Sequence, residues 1–237
     1  MKEQLRLRDA VVDAAPIMVS GFFFGLVFGV LASKSGITPL AATLMSALVF
    51  AGASQFVAVE QWRHPNLPWL SIVLTTLLIN LRHLLMSASL QRSFQKLPKG
   101  RVAASFALLL IDETWALAEH RFRKAAPSLR YFVTAGLVIY VGWVGGTFIG
   151  TQVGSNIPEP RIYGLDFTFV AMFLSLMVLL WQRQLDFLTW LTAGLMSFLI
   201  SQLPGLGAAG VVIAAVVASA VVAALPAARQ PVAEAGR

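Results

Sequence analysis

Apolar residues in this sequence run in blocks of roughly twenty, the length that carries an α-helix across about 30 Å of hydrocarbon. The blocks fall at 14–33, 37–59, 68–90, 102–119, 131–153, 164–181, 186–203 and 207–225. They are separated by Lys34 to Gly36, His64 and Pro65, Pro98 to Gly100, Pro158 to Pro160, and Pro204 to Gly207, residues that punctuate helices. Of the 237 residues 57% are hydrophobic and 12% charged, too few charged groups to cover a water-facing surface. The expected fold is therefore an all-α integral membrane protein, a polytopic bundle of about seven or eight hydrophobic segments, with broken or re-entrant helices allowed.

On this reading residues 1–13 form a charged, cytoplasm-type arm, 14–225 a single transmembrane domain, and 226–237 a disordered tail rich in Ala, Pro and charge. The first apolar run is too long and too poorly ended for a cleaved signal peptide, which makes it a retained first span. The net charge of +7 comes from Lys and Arg placed between the apolar blocks, where they meet membrane lipid; this placement argues against nucleic acid. Cysteine is absent, so disulfides and thiolate chemistry are excluded. The three histidines, at 64, 83 and 120, have no metal-site spacing, and no phosphate-cradling loop or nucleophile motif is present. Nothing calls for a metal or a cofactor.

Two glycine ladders stand out. Gly21, Gly25 and Gly29 recur every four residues in the first segment, and Gly142, Gly146, Gly150 and Gly154 in the fifth. That spacing puts each set on one helix face and suits close helix packing in lipid. A shift of 121 residues superposes the ladders and carries Pro39 onto Pro160, which points to an internal duplication with halves near 14–90 and 131–203. Paired repeats are frequent in secondary transporters, whose substrate site lies at the repeat interface.

The loops 91–101 and 120–130 each carry four Lys or Arg, so the positive-inside rule puts both on the cytoplasmic side. A full crossing by 102–119 between them would break that rule, and this segment is expected to dip in and return.

Ionisable groups inside the apolar blocks cost at least about 2.5 to 3.5 kcal/mol each on insertion and so mark function or pairing. The candidates are Arg82 and His83, Asp112 and Glu113, and Asp166. If 68–90 is one helix, Thr76, Asn80, His83 and Ser87 share one stripe, and Thr75, Arg82 and Ser89 another. In the second segment Gly52, followed by Ser54 and Gln55, is where a helix can open and offer backbone groups to a zwitterion; an unbroken helix with Ser54 bonded to its own backbone is the alternative. The candidate substrate-binding residues are Gly52, Ser54, Gln55, Asn80 and Arg82, and the candidate ion-coupling or charge network is His83, Asp112, Glu113 and Asp166. Arg82 could equally serve only to pair with Asp112 or Glu113 and lock two helices.

From about Pro16 to Gln202 the chain resembles the AzlC family, large subunits of bacterial two-component branched-chain amino acid exporters. The resemblance rests on Phe50-Ala-Gly-Ala-Ser-Gln-Phe56, Ile79-Asn-Leu-Arg-His83, Asp112-Glu113-Thr114 and Gly164-Leu-Asp-Phe167, in that order. It implies a multi-pass protein of the bacterial inner membrane, a small hydrophobic partner of the AzlD type, and export of branched-chain or similar apolar amino acids driven by an ion gradient. Two other readings stay open: a membrane-embedded enzyme pairing His83 with Asp112 or Glu113 as acid and base, and a structural subunit whose buried charges only fix helix register.

Overall fold

The computed structural model describes residues 5–62, 67–154, 156–157 and 184–201, with single positions from 162 to 174 and from 217 to 221. All regular elements among them are helical: α1 (Leu7–Lys34), α2 (Pro39–Val49), α3 (Gly52–Trp62), α4 (Trp69–Asn80), α5 (Arg82–Gln91), a 3-10 turn (Arg92–Phe94), α6 (Lys99–Leu109), α7 (Asp112–Lys124), α8 (Leu129–Gly154) and α9 (Gln184–Ser201). Among the described residues three stretches are long and apolar enough to cross a membrane, Leu7–Lys34, Trp69–Phe94 and Leu129–Gly154. Apart from those single positions, the expected segments 164–181 and 207–225 lie outside the described residues, as do the tail and Asp166.

The chain forms two compact units, one of residues 1–68 and 79–169, the other of 69–78 and 170–237. In the second, α9 is a short apolar helix in which Thr192 donates to the Leu188 carbonyl at 2.8 Å. The first holds the candidate site.

Its spine is α1 packed on α8. A Cβ added to Gly146 would fall on the carbonyl oxygen of Phe22, and one on Gly150 on that of Leu26; conversely, Gly25 faces the carbonyl of Trp143 and Gly29 that of Thr147. Only glycine permits backbones this close. Met18, Phe22, Leu26 and Val30 meet Gly142, Gly146, Gly150 and Gly154 in step, so the helices run parallel. The shift of 121 that carries Gly25 onto Gly146 also carries Phe22 onto Trp143, so the contact is reciprocal. Gly21 stands further off, its nearest neighbour beyond the backbone being Ile139 at 3.9 Å.

One end of this spine is tied by polar and aromatic contacts. The Arg121 Nε donates to Asp13 at 2.6 Å and the Tyr131 hydroxyl to the same carboxylate at 2.7 Å. Phe94 lies 5.5 Å from Phe122 and 6.4 Å from Phe132, ring centre to ring centre. The basic segments 91–101 and 120–130 are therefore neighbours. α1 starts at Leu7, which makes the second half of the arm 1–13 helical, and α7 carries helix through Lys124, into what the sequence reads as loop.

Between those neighbouring ends, α6 and α7 form a hairpin. α6 enters along α8, with Phe106 against Phe132 and Leu109 at 2.8 Å from where a Gly136 Cβ would be. The chain is extended at Leu110 and Ile111, and α7 returns to Arg121 and Phe122. Arms of 11 and 13 residues reach only about 16 and 20 Å. Thr114 stitches the break, accepting from the Ile111 N–H at 3.0 Å while its hydroxyl lies 2.7 Å from the Leu109 carbonyl. The segment 102–119 thus dips and returns.

The expected span 37–59 is also a hairpin, entering from the opposite end. Thr38 caps α2, its hydroxyl accepting from the Ala41 N–H at 3.2 Å with Pro39 in the first turn. The helix ends at Phe50, whose left-handed φ of 42° is costly for a bulky side chain and ends the right-handed run. Gln55 then reaches back to Ser46 at 3.0 Å, a contact out of reach if the chain continued about 13 Å further along one axis. A single crossing helix is overturned here because two arms of 11 residues cannot span hydrocarbon.

The native chain lacks cysteine, which makes the arrangement directly testable. Cysteines introduced at Gln95 and Lys124 label with a membrane-impermeant maleimide from the same side, and one at Ser35 from the other; labelling of 95 and 124 from opposite sides would remove the α6–α7 hairpin.

Candidate functional site

Three interruptions of helix meet in the first unit: Phe50–Ala51, Leu81, and Leu110–Ile111. Measured along α8, Tyr140, whose ring lies 5.1 Å from Phe50, is about 16 Å from the Leu129 end and about 21 Å from the Gly154 end. The tip of the first hairpin is therefore near mid-depth. Leu81 keeps right-handed dihedral angles, so α4 and α5 are separated by a gap in hydrogen bonding rather than a reversal. The helical phase therefore carries on through Leu81, and Trp69–Phe94 remains one stretch long enough to cross a membrane.

Side chains link the three interruptions. The Asn80 Nδ2 donates to the Ser54 Oγ at 3.4 Å, a long bond, and two residues on the Arg82 guanidinium lies 2.8 Å from the Asp112 carboxylate, each side chain 29% exposed. His83 sets its Nδ1 3.0 Å from the Asn80 carbonyl, which tethers the ring to the end of α4. Ser54 in turn donates to the Ala51 carbonyl at 2.9 Å. Six of the sequence candidates, Ser54, Gln55, Asn80, Arg82, His83 and Asp112, belong to this one chain of contacts or adjoin it. Glu113, next to Asp112, is exposed and makes no ion pair among the described residues.

Gln55 has a different place from that of a ligand. It is fully buried, its Oε1 accepts from the Ala51 N–H at 3.2 Å and its Nε2 donates to Ser46. The Ser46 hydroxyl lies 2.8 Å from that of Thr147, which donates to the Trp143 carbonyl at 3.0 Å. Both ends of the amide are engaged: Oε1 closes the hairpin on Ala51, and Nε2 joins it to α8 through Ser46 and Thr147. Gly52 is held against the Trp143 indole, with 2.8 Å between its would-be Cβ and the ring. Sequence reasoning missed Ser46, Trp143 and Thr147. The one available signal was Thr147 beside Gly146 on the ladder face.

Among the described residues three buried polar atoms lack a hydrogen-bond partner: Asn80 Oδ1, Arg82 Nε and Trp143 Nε1. An unsatisfied buried group costs about 1 to 3 kcal/mol, so a ligand that satisfies one gains that much. Asn80 Oδ1 is an acceptor and Arg82 Nε a donor, two residues apart at the α4–α5 gap. By helix geometry the N–H groups of Gly52 to Ser54 and of Asp112 to Thr114 begin their helices without intrahelical acceptors. The junction thus offers donors for a carboxylate beside an acceptor and a carboxylate for an ammonium group. Among the described residues no cluster of His, Cys, Asp or Glu could hold a metal.

Comparison with known proteins agrees with this geometry in its extent. The family model described as AzlC protein matches residues 16–157, the span from the first helix through both hairpins to the end of α8. The inner membrane protein YgaZ of Escherichia coli K12 is 30% identical over 178 residues, 73% of this chain and 72% of the relative. An uncharacterized membrane protein of Archaeoglobus fulgidus is 32% identical over 180 residues, 75% of this chain and 77% of its own length. The branched-chain amino acid transport protein AzlC of Bacillus subtilis is 26% identical over 183 residues, 75% of this chain and 68% of the relative. No solved structure matches.

Proposed function

Because this chain is a membrane protein that belongs to the AzlC family, we propose that it is the large subunit of a secondary transporter exporting branched-chain or similar apolar amino acids from bacteria across the inner membrane, coupled to the proton gradient and working with a small hydrophobic subunit of the AzlD type. The observation that carries the proposal is the meeting of two opposed hairpin tips at Ser54–Asn80 and Arg82–Asp112, with an unpaired donor and acceptor between them. Broken helices that meet at mid-depth are the usual place for a transporter's substrate, because the freed backbone can be satisfied only by protein, water or solute.

In this mechanism the substrate carboxylate takes the Arg82 Nε donor and the N–H groups opening α3 at Gly52, while the ammonium donates to Asn80 Oδ1 and Asp112. Gln55 positions the tip without touching solute. His83, Asp112, Glu113 and Asp166 are the groups able to carry a coupling proton; with its Nδ1 at the Asn80 carbonyl, His83 can exchange a proton at Nε2. Proton binding shifts the transporter only if one conformation binds it more tightly. His83 serves that end because a helix break ties it to the substrate-bearing Asn80. The end that carries Arg121 and the basic segments faces the cytoplasm by the positive-inside rule.

The test is flux in proteoliposomes containing this chain and its small partner. Several labelled aliphatic amino acids accumulate against their gradients, with one methylene changing the rate by about 10- to 200-fold at most, and collapse of the proton gradient abolishes accumulation. Accumulation that survives the collapse would exclude proton coupling, and conversion of a solute to product without vectorial movement would favour an enzyme.

A further inference from the structure

At the tied end of α1, away from the hairpin tips, lies a cavity of about 700 Å³ lined by Leu5, Arg6, Arg8, Asp9, Val12, Asp13 and Arg121. Its charges are not equivalent. Asp13 is consumed by Arg121 and Tyr131, and its hydrogen bonds hold the Arg121 guanidinium firmly protonated, with a pKa raised above its ordinary value. Asp9 turns one carboxylate oxygen to its own helix start, accepting from the Arg6 N–H at 2.7 Å. Arg6 and Arg8 are exposed and have no ion-pair partner among the described residues. Two guanidiniums without an ion-pair partner among the described residues thus face a cavity whose nearest described carboxylates are engaged elsewhere.

The surface beside the cavity is apolar. Leu7, Val11 and Val12 are 56%, 44% and 60% exposed on the first two turns of α1, where a water-facing helix would carry polar groups. A polar pocket with free arginines and an apolar flank matches a ligand that is anionic at one end and hydrocarbon at the other. We infer that this cavity binds a phosphate-bearing anion through Arg6 and Arg8, the apolar flank assigning it to the phosphodiester headgroup of an anionic phospholipid. The site also abuts the Arg121–Asp13 tie that fixes the base of the α6–α7 hairpin, so its occupant bears on the hairpin from its anchored end.

The test uses the full chain, delipidated in mild detergent, re-equilibrated with phosphatidylglycerol or phosphatidylcholine and read by native mass spectrometry. Wild type and Arg6→Lys/Arg8→Lys retain phosphatidylglycerol over phosphatidylcholine, and Arg6→Gln/Arg8→Gln loses it about 25-fold, about fivefold per arginine. Arg123→Gln/Lys124→Gln, outside the cavity, keeps it. Retention in excess inorganic phosphate assigns the headgroup, and displacement assigns free phosphate to the same site. Equal retention of the two lipids, undiminished binding by Arg6→Gln/Arg8→Gln, or an equal loss in Arg123→Gln/Lys124→Gln would overturn the site.

Discussion

Substituting Gly146 with alanine destabilises the protein by about 3 kcal/mol, and substituting it with leucine removes folded protein from the membrane altogether, whereas Gly145→Ala leaves both amount and stability at wild-type levels. The contrast follows from what each position faces. A Cβ on Gly146 would sit on the Phe22 carbonyl oxygen and 3.0 Å from the Leu26 nitrogen, while one on Gly145 would meet nothing within 4 Å. The obstructing atoms are backbone, so no rotamer change relieves the clash and the two helices must separate along their length. Separation also withdraws Thr147 from Ser46, and with it the hydrogen-bonded path that fastens the first hairpin through Gln55. Fluorescence-detected size exclusion after solubilisation reads the amount of monodisperse protein, and a thermal ramp in detergent reads its stability. Gly146→Ala at wild-type yield and midpoint would mean that α1 and α8 do not pack as described.

The same ladders show how far the sequence could be read. Their spacing announced close packing, and the superposition after 121 residues is the sequence image of a reciprocal contact, since two glycine faces that pack on each other in parallel must keep the same step. That contact also bears on the duplication: helices that run parallel can be related only by an axis along the membrane normal, so a repeat built on α1 and α8 would be of the parallel kind. The return of 102–119 was legible because charge counts constrain which face a loop occupies. The return of 37–59 was not, because no charge flanks its tip and the reversal depends on Phe50 adopting a left-handed conformation that its side chain disfavours. Gln55 was legible as a polar group in an apolar block, but not as a fastening, because its partners Ser46 and Ala51 are set by that unforeseen reversal. The tie of Asp13 to Arg121 and Tyr131 spans more than a hundred residues and had no local signature.

The Arg82–Asp112 pair decides between a lock and a transport site. Arg82→Gln alone leaves the Asp112 carboxylate without its cation, and Asp112→Asn alone strands the guanidinium; each half-buried charge then costs about 3 to 5 kcal/mol at most, less what water screens, so both single variants lose abundance. The double variant Arg82→Gln/Asp112→Asn removes both charges together, keeps neutral groups able to bond each other, and restores abundance. If the pair were a lock and nothing else, flux per assembled protein would return with it. We expect flux to stay about 100-fold below wild type, because the zwitterion loses a charge-assisted donor and a counter-carboxylate that together are worth about 3 kcal/mol. Labelled amino acid flux in proteoliposomes, normalised to the reconstituted protein, separates the two outcomes, and the double variant is the informative one because its folding penalty has been cancelled. Full recovery of flux would leave Arg82 and Asp112 as a brace between α5 and α7 and would move the substrate away from the hairpin tips.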